Sequence, residues 1–311
     1  MVKRLLDANA SDFRGMASQD LIESIRISEG RVVVAEVVAT SPPLVDKLSN
    51  VELAAGMGAD LILLNLYDLS QPQVSGFPDQ GGDSPASRPA FGKFPSGRGV
   101  TLSMIKEWIG RPVGINLEPI ENPEFSASAR LATPENAQAA VEAGVDFIVL
   151  TGNPYTGVTQ DGLARALNDI RQRIGARAIL LVGKIHGAGI REKSITSSGI
   201  EALAKGGADG IVLPAPGTAP STTVESVRSL VEAAHEKGLL VMNGIGTSQE
   251  GASLSTIEQI ALMSKMTGAD MHHIGDAGIM GMAVPENISA MSIALRGRRH
   301  TWHRMAASLR R

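Results

Sequence analysis

The feature that narrows this chain most is a unit that recurs eight times. Each copy runs an apolar strand into polar or glycine residues, then a loop, then an amphipathic helix that closes on Gly-Ala-Asp or a similar group. The strand stretches are RVVVAEVVAT (31–40), ADLILLNLYD (59–68), RPVGINLEP (111–119), VDFIVLTGNP (145–154), AILLVGKIHGAG (178–189), ADGIVLPAPG (208–217), LLVMNGIGTS (239–248) and ADMHHIGDAG (269–278). Such runs suit strands buried on both faces, and the glycines that end the helices suit left-handed caps. A repeat of roughly thirty residues is the spacing of a strand plus its return helix, so the pattern predicts an α/β chain folded as a single (β/α)8 TIM barrel. Two open doubly wound domains would bring a linker or composition shift near the middle, and there is none.

Residues 1–30 precede the repeat. Ser18 is placed to cap a helix with Leu21, Ile22 and Ile25 on one stripe, which predicts a short N-terminal helical extension plugging the lower end of the barrel. The barrel then spans 31–311, with an inserted loop at about 69–100 and a smaller one at 120–132. The larger insert is rich in Gly, Pro and Ser, yet Phe77, Phe91 and Phe94 supply half of the chain's six phenylalanines, interleaved with Arg88, Lys93 and Arg98. Disordered linkers are poor in aromatics, so this segment is expected to pack, as a lid or a subunit arm. The ending RGRRHTWHRMAASLRR reads as a basic C-terminal helix, solvated or docked on another subunit.

A net charge of −3 provides no field to draw the molecule to nucleic acid or membrane, and no apolar run reaches membrane-spanning length. The absence of cysteine removes disulfides and thiolate chemistry and fits a cytoplasmic protein. No signal-peptide pattern opens the chain.

In a barrel of this kind reactive groups sit at the carboxyl ends of the strands. Those ends supply Glu36; Asn65 and Asp68; Asn116 and Glu118; Thr151 and Asn153; Lys184 and His186; Asn243; and His272, His273 and Asp276. Strand six offers only Pro214 and Pro216, as a wall. Lys184 and His186 are two residues apart and so share a face with Val182, opposite Leu181 and Ile185. Read as facing the barrel mouth, they become the catalytic pair, with Glu36, Glu118 and Asn116 around them; Glu36 and Glu118 would balance the Lys184 charge. Asn65, Asp68, Thr151, Asn153, Asn243 and His273 complete the expected pocket. The glycine loops after strands seven and eight, with Gly244, Gly246, Thr247, Ser248, Gly275 and Asp276, offer backbone amides for a phosphate group. Asp276 is discordant there, because a carboxylate beside a phosphate is repulsive.

The stretches KRLLDANASDF, ADLILLNLYD, GRPVGINLEP, GADMHHIGDAG and RGRRHTWHRMA together resemble a bacterial TIM-barrel family whose members carry labels such as PEP phosphonomutase-like or haloacid dehalogenase-like. PVGINLEP through GADGIVLPAPGTAP is more faintly similar to the BtpA-like barrels. The resemblance implies fold and cytoplasmic location. It implies no reaction, since the chain has neither an Asp-x-Asp-x-Thr/Val stretch after its first strand nor the closely spaced aspartates of phosphonomutases.

Three functions stay open at this point. The first is a lyase or isomerase acting on a small phosphorylated sugar or keto acid, with Lys184 as Schiff-base amine or enolate-stabilising cation and His186 as proton carrier. The second is an enzyme in which Glu36, Glu118, His186 or His273 hold Mg or Mn. The third is a non-catalytic metabolite-binding or assembly protein. The expected ligand is a small phosphorylated metabolite, with no nucleic-acid or membrane partner, and the chain is expected to be a homo-oligomer.

Overall fold

The computed structural model describes residues 2–81, 94–120, 128–153, 155–187, 195–246 and 248–311. Eight strands, β1 (Val32–Val38), β2 (Leu61–Asn65), β3 (Val113–Leu117), β4 (Phe147–Leu150), β5 (Ile179–Gly183), β6 (Gly210–Pro214), β7 (Leu240–Ile245) and β8 (Met271–Ile274), pair in chain order. Every pair is parallel, and β8 closes on β1. The expected (β/α)8 barrel is therefore the fold. Helices α1 (Ala10–Gly15) and α2 (Ser18–Arg26) precede it, and α3 (Asn50–Gly56), α4 (Leu102–Ile109), α5 (Pro134–Glu142), α6 (Gln160–Ile174), α7 (Ser197–Lys205), α8 (Val224–Glu236), α9 (Leu254–Met266) and α10 (Pro285–Ala306) follow the strands in turn. None of the described helices is long and apolar enough to cross a membrane.

Strand alternation sorts the apolar residues into two sets. Val32, Val34, Leu61, Leu63, Phe147, Val149, Ile179, Leu181, Val212, Leu240, Met242 and Met271 meet on the barrel axis, and Leu5, Phe13, Leu21, Ile22 and Ile25 pack onto them from below. Their odd-for-even neighbours, such as Val33, Ile62, Leu180, Val182 and Val241, face the helices. Gly114 is glycine because Phe147 crosses the axis there: a Cβ at 114 would stand 2.3 Å from the ring.

The Gly-Ala-Asp endings have a job at the lower rim. Asp60, Asp146, Asp209 and Asp270 each precede an even-numbered strand. Their carboxylates accept the amides of Val33, Val113, Leu180 and Val241, on the strand before, at 2.8–2.9 Å. Their own amides donate to the carbonyls of the same four residues. A base from the helix layer backs each carboxylate: Arg296 and Arg304 on Asp60, Lys106 on Asp146, Arg171 on Asp209, His235 on Asp270.

The basic C-terminal helix is thus not wholly solvated, as the sequence suggested. α10 breaks at Gly297, whose φ is +74°, and Arg296 and Arg304 on either side of the break turn inward to the fully buried Asp60. Arg304 also donates to the carbonyls of Leu5 and Ala8, tying both chain ends to the lower rim. In the large insert, Phe77 is buried against Trp108 of α4, ring centroids 4.4 Å apart. It anchors this part of the insert to the helix layer. Arg88, Phe91 and Lys93 lie outside the described residues.

Removing the Asp60 charge would strand two buried guanidiniums. Asp60→Asn should cost about 3–5 kcal/mol, the range for breaking a buried pair, measured as the shift in denaturant midpoint. A loss under about 1 kcal/mol, as for an exposed pair, would contradict this account.

Candidate active site

One step above the apolar axis, each strand presents its next inward position. By alternation these are Glu36, Asn65, Asn116, Thr151, Gly183, Pro214, Gly244 and His273. Above them lies a cavity of about 430 Å³, lined by Glu36, Asn65, Asn116, Thr151, Asn153, Ile185, His186, Gly246, Ser248, Glu250, His273, Gly275 and Asp276 among others.

Glu36 is the hub. Its Oε1 accepts from Asn116 Nδ2, and its Oε2 faces His273 Nε2 at 3.0 Å. With the Nε2–H donated to the carboxylate, His273 is left with a buried Nδ1 that has no hydrogen-bond partner. Gly244 makes room at that edge, since a Cβ there would stand 2.4 Å from Ile185 Cγ2 and 3.1 Å from His273 Nδ1. Asn65 and Asn153 exchange Nδ2–Oδ1 hydrogen bonds at 3.1 and 3.2 Å, and Asn65 Nδ2 also donates to Asp276 Oδ2 at 2.7 Å. Burial, and next the charge of Glu36, push the Asp276 carboxyl up to about 8. Asp276 is therefore protonated at neutral pH and able to donate.

Of the expected site residues, the cavity brings together Glu36, Asn116, Asn65, Thr151, Asn153, His186, Gly246, Ser248, His273, Gly275 and Asp276. The others go elsewhere, for physical reasons. Lys184 shares the parity of Leu180 and Val182, which face the helices, so it leaves the axis on the outer side. Its Nζ donates to Val158 O at 2.7 Å, and it lines a neighbouring cavity of about 290 Å³. The inward position after β5 belongs to Ile185, which packs on the axial core. His186 lies at the wall between the two cavities, and burial holds its pKa below the usual imidazole value. Glu118 is occupied by Asn153, accepting its amide and its Nδ2 at 2.7 Å each, so it positions Asn153 and does not meet the cavity.

Asn243 and His272 have the outward parity of Val241 and Ile274; both bind Ser264 of α9. Asp68 is spent on a turn, accepting from Ser70 and Gln71. The expected metal set does not assemble either. Glu36 and His273 hold each other, and among the described residues no three His, Cys, Asp or Glu side chains are grouped as a metal would need.

The anion grip is also filled from within. Gly275 N donates to Ile245 O, and Gln249 N to Gly246 O. The Asp276 amide faces its own carboxyl. Gly244 belongs to the β6–β7 ladder and does not line the cavity. Thr247 lies outside the described residues. The carboxyl against this loop is one the sequence reading missed: Glu250, fully buried in the short 3-10 turn Gln249–Gly251. The amides of Glu250 and Ala277 point toward it, yet neither oxygen makes a hydrogen bond of normal geometry. Burial raises its pKa. Its sequence signal was slight, a single acid within a glycine loop after strand seven.

With the geometry in place, comparison with known proteins gives a family. A model of DUF7916, a domain of unknown function, matches residues 6–311. The chain belongs to the DUF7916 family. No curated protein matches it. Among solved structures, it is similar to 2,3-dimethylmalate lyase, a PEP mutase/isocitrate lyase superfamily member, at 15% identity and TM-score 0.48, over 83% of this chain and 80% of that one. The carboxyl transferase domain of Rhizobium etli pyruvate carboxylase matches at 13% and 0.48, over 95% of this chain and 51% of that one. Ruminococcus gnavus sialic acid aldolase matches at 13% and 0.46, over 79% and 68%. Likenesses this distant decide nothing about activity, and the DUF7916 barrel stands on its own strand pairing.

The Asp276 environment has a measurable consequence. Folded Asp276 keeps its proton to about pH 8, whereas an unfolded aspartate loses it near pH 4. Between those values the folded state binds more protons, so this residue lowers stability as pH rises across the window. Asp276→Asn removes that loss. Its stability relative to the parent should climb from about pH 5 to about pH 9, read from denaturant midpoints at each pH. A difference that stays flat or falls would contradict a buried, protonated Asp276.

Proposed function

We propose that this protein is a barrel enzyme of lyase or isomerase type, which moves a proton at a carbon beside a carbonyl group of a small polar metabolite. The reading is supported chiefly by one observation: an imidazole engaged by a carboxylate through Nε2, with Nδ1 unpartnered, shares a cavity with a carboxyl group held protonated.

The chemistry follows from those groups. His273 Nδ1 takes the proton from carbon as the C–H bond breaks, and the electron pair forms the carbon–carbon double bond of an enol. The carbonyl oxygen takes the Asp276 proton, or a hydrogen bond from it, which disperses the charge that develops there. Glu36 steadies the imidazolium that results and keeps the ring in the tautomer that leaves Nδ1 able to accept a proton. Where the first carbon bears a hydroxyl, returning the proton to the former carbonyl carbon while that hydroxyl gives its own proton to Asp276 makes the new carbonyl, an isomerisation. Giving the proton instead to a departing oxygen on the β carbon, as the enol O–H returns its proton to Asp276 and the carbonyl re-forms, is elimination. Asn116 holds Glu36 in place, and Asn65 holds Asp276. Schiff-base chemistry at Lys184 has no support in this arrangement, because the side chain leaves the axis on the helix side.

The test is proton exchange in deuterium oxide, followed by NMR, against small keto and hydroxy-carbonyl metabolites. One ligand should exchange a C–H next to its carbonyl. Glu36→Gln and His273→Gln should slow that exchange about a hundredfold or more, with folding checked by circular dichroism. Lys184→Arg should keep it. Exchange that survives both substitutions, or that disappears with Lys184→Arg, would overturn the assignment.

A further inference from the structure

Among the described residues, the buried side-chain atoms of the cavity residues that lack partners are all of one kind. Glu250 Oε1 and Oε2, Asn116 Oδ1 and His273 Nδ1 are buried and unpaired, and their residues line the cavity. In the tautomer assigned above every one of them is an acceptor. The Asn116 assignment is firm, since its Nδ2 must be the atom that meets the Glu36 carboxylate. No Lys or Arg lines the cavity among the described residues. A buried acceptor left without a donor is costly, and more so when it belongs to a carboxyl group.

Glu250 is built into this position. Its backbone turn is pinned by the buried Asn287, whose Nδ2 donates to the carbonyls of Glu250 and Ala252 at 2.8 and 2.9 Å. Its carboxyl carbon stands 3.6 Å from where a Cβ on Gly275 would be, so it lies beside Asp276. Three carboxyl groups, from Glu36, Glu250 and Asp276, therefore share one enclosed space and raise one another's cost of ionisation. A phosphate or carboxylate ligand would add to that repulsion. A metal ion would need more ligands than the described side chains gather.

We infer that the ligand carries a protonated amine, seated against Glu250, with further N–H or O–H donors toward Asn116. This rests on reading the cavity as the active site and narrows the substrate class from any small polar carbonyl compound to an amino-bearing one. An ammonium group has three N–H donors and a full positive charge, so it answers both the unpaired acceptors and the Glu250 carboxyl.

Four small probes of similar size separate the classes: ethanolamine, ethylene glycol, glycolate and inorganic phosphate, each titrated into the full chain and followed by NMR shifts. Ethanolamine should bind about tenfold or more tightly than ethylene glycol, a difference near 1.4 kcal/mol, and the two anions should bind more weakly than either. Glu250→Gln should bring ethanolamine to the level of ethylene glycol while leaving the latter unchanged. Equal binding of amine and diol, tighter binding of either anion, or an amine preference that survives Glu250→Gln would overturn the inference. The two readings fail separately. An amine preference without carbon–hydrogen exchange keeps this inference and removes the lyase or isomerase reading. Exchange that depends on Glu36 and His273, with phosphate preferred, does the reverse.

Discussion

In a closed barrel of eight parallel strands, the parity of a residue decides whether it meets the axis or the helix layer. Everything at the mouth of this molecule follows from that rule. It brings Glu36, Asn116 and His273 inward from β1, β3 and β8, where one carboxylate is shared between an amide and an imidazole. It sends Lys184, Asn243 and His272 outward, where Lys184 Nζ donates to the Val158 carbonyl and Asn243 Nδ2 and His272 Nδ1 meet the Ser264 hydroxyl of α9. A buried carboxylate needs donors, so Glu36 fixes the tautomer and orientation of His273. Which ring nitrogen carries the proton is then set by that hydrogen bond.

The lower rim shows the same economy in a different chemistry. Asp60, Asp146, Asp209 and Asp270 each clamp the amide and the carbonyl of one residue on the preceding strand. They stand before β2, β4, β6 and β8, so the structural unit is a pair of strands repeated four times. Register is thereby held at the bottom by charge-assisted bonds. The upper ends can carry unpaired acceptors because the barrel does not depend on them for closure. Stability and chemistry are separated along the axis, as expected when the carboxyl ends of the strands carry the site.

The barrel was legible in the sequence because its signal is periodic: eight apolar runs, each followed by a helix pattern and a glycine. The site was only half legible. Glu36, Asn65, Asn116, Thr151 and His273 could be named because they stand at inward positions of recognisable strands. Lys184 misled because its face was read as inward, whereas His186 does reach the cavity wall. Counting parity from Ile179 and Leu181, which fill the axis, places Ile185 inward and Lys184 outward. Glu250 and Asp276 lie in loops, where no period reports direction. The glycine loops promised free amides, yet whether an amide is free depends on neighbours that only the fold brings close, here Ile245, Glu250 and the Asp276 carboxyl.

The central claim is that Glu36 holds His273 with Nε2 protonated and Nδ1 bare. Nitrogen-15 NMR of the imidazole ring tests it most directly, because protonated and unprotonated ring nitrogens resonate far apart. With the ring labelled and His273 assigned through a His273→Gln control, the proton of the neutral ring should be found on Nε2. Glu36→Gln should let the tautomers mix. A proton found on Nδ1 in the parent protein, or a tautomer unmoved by loss of the Glu36 carboxylate, would contradict it.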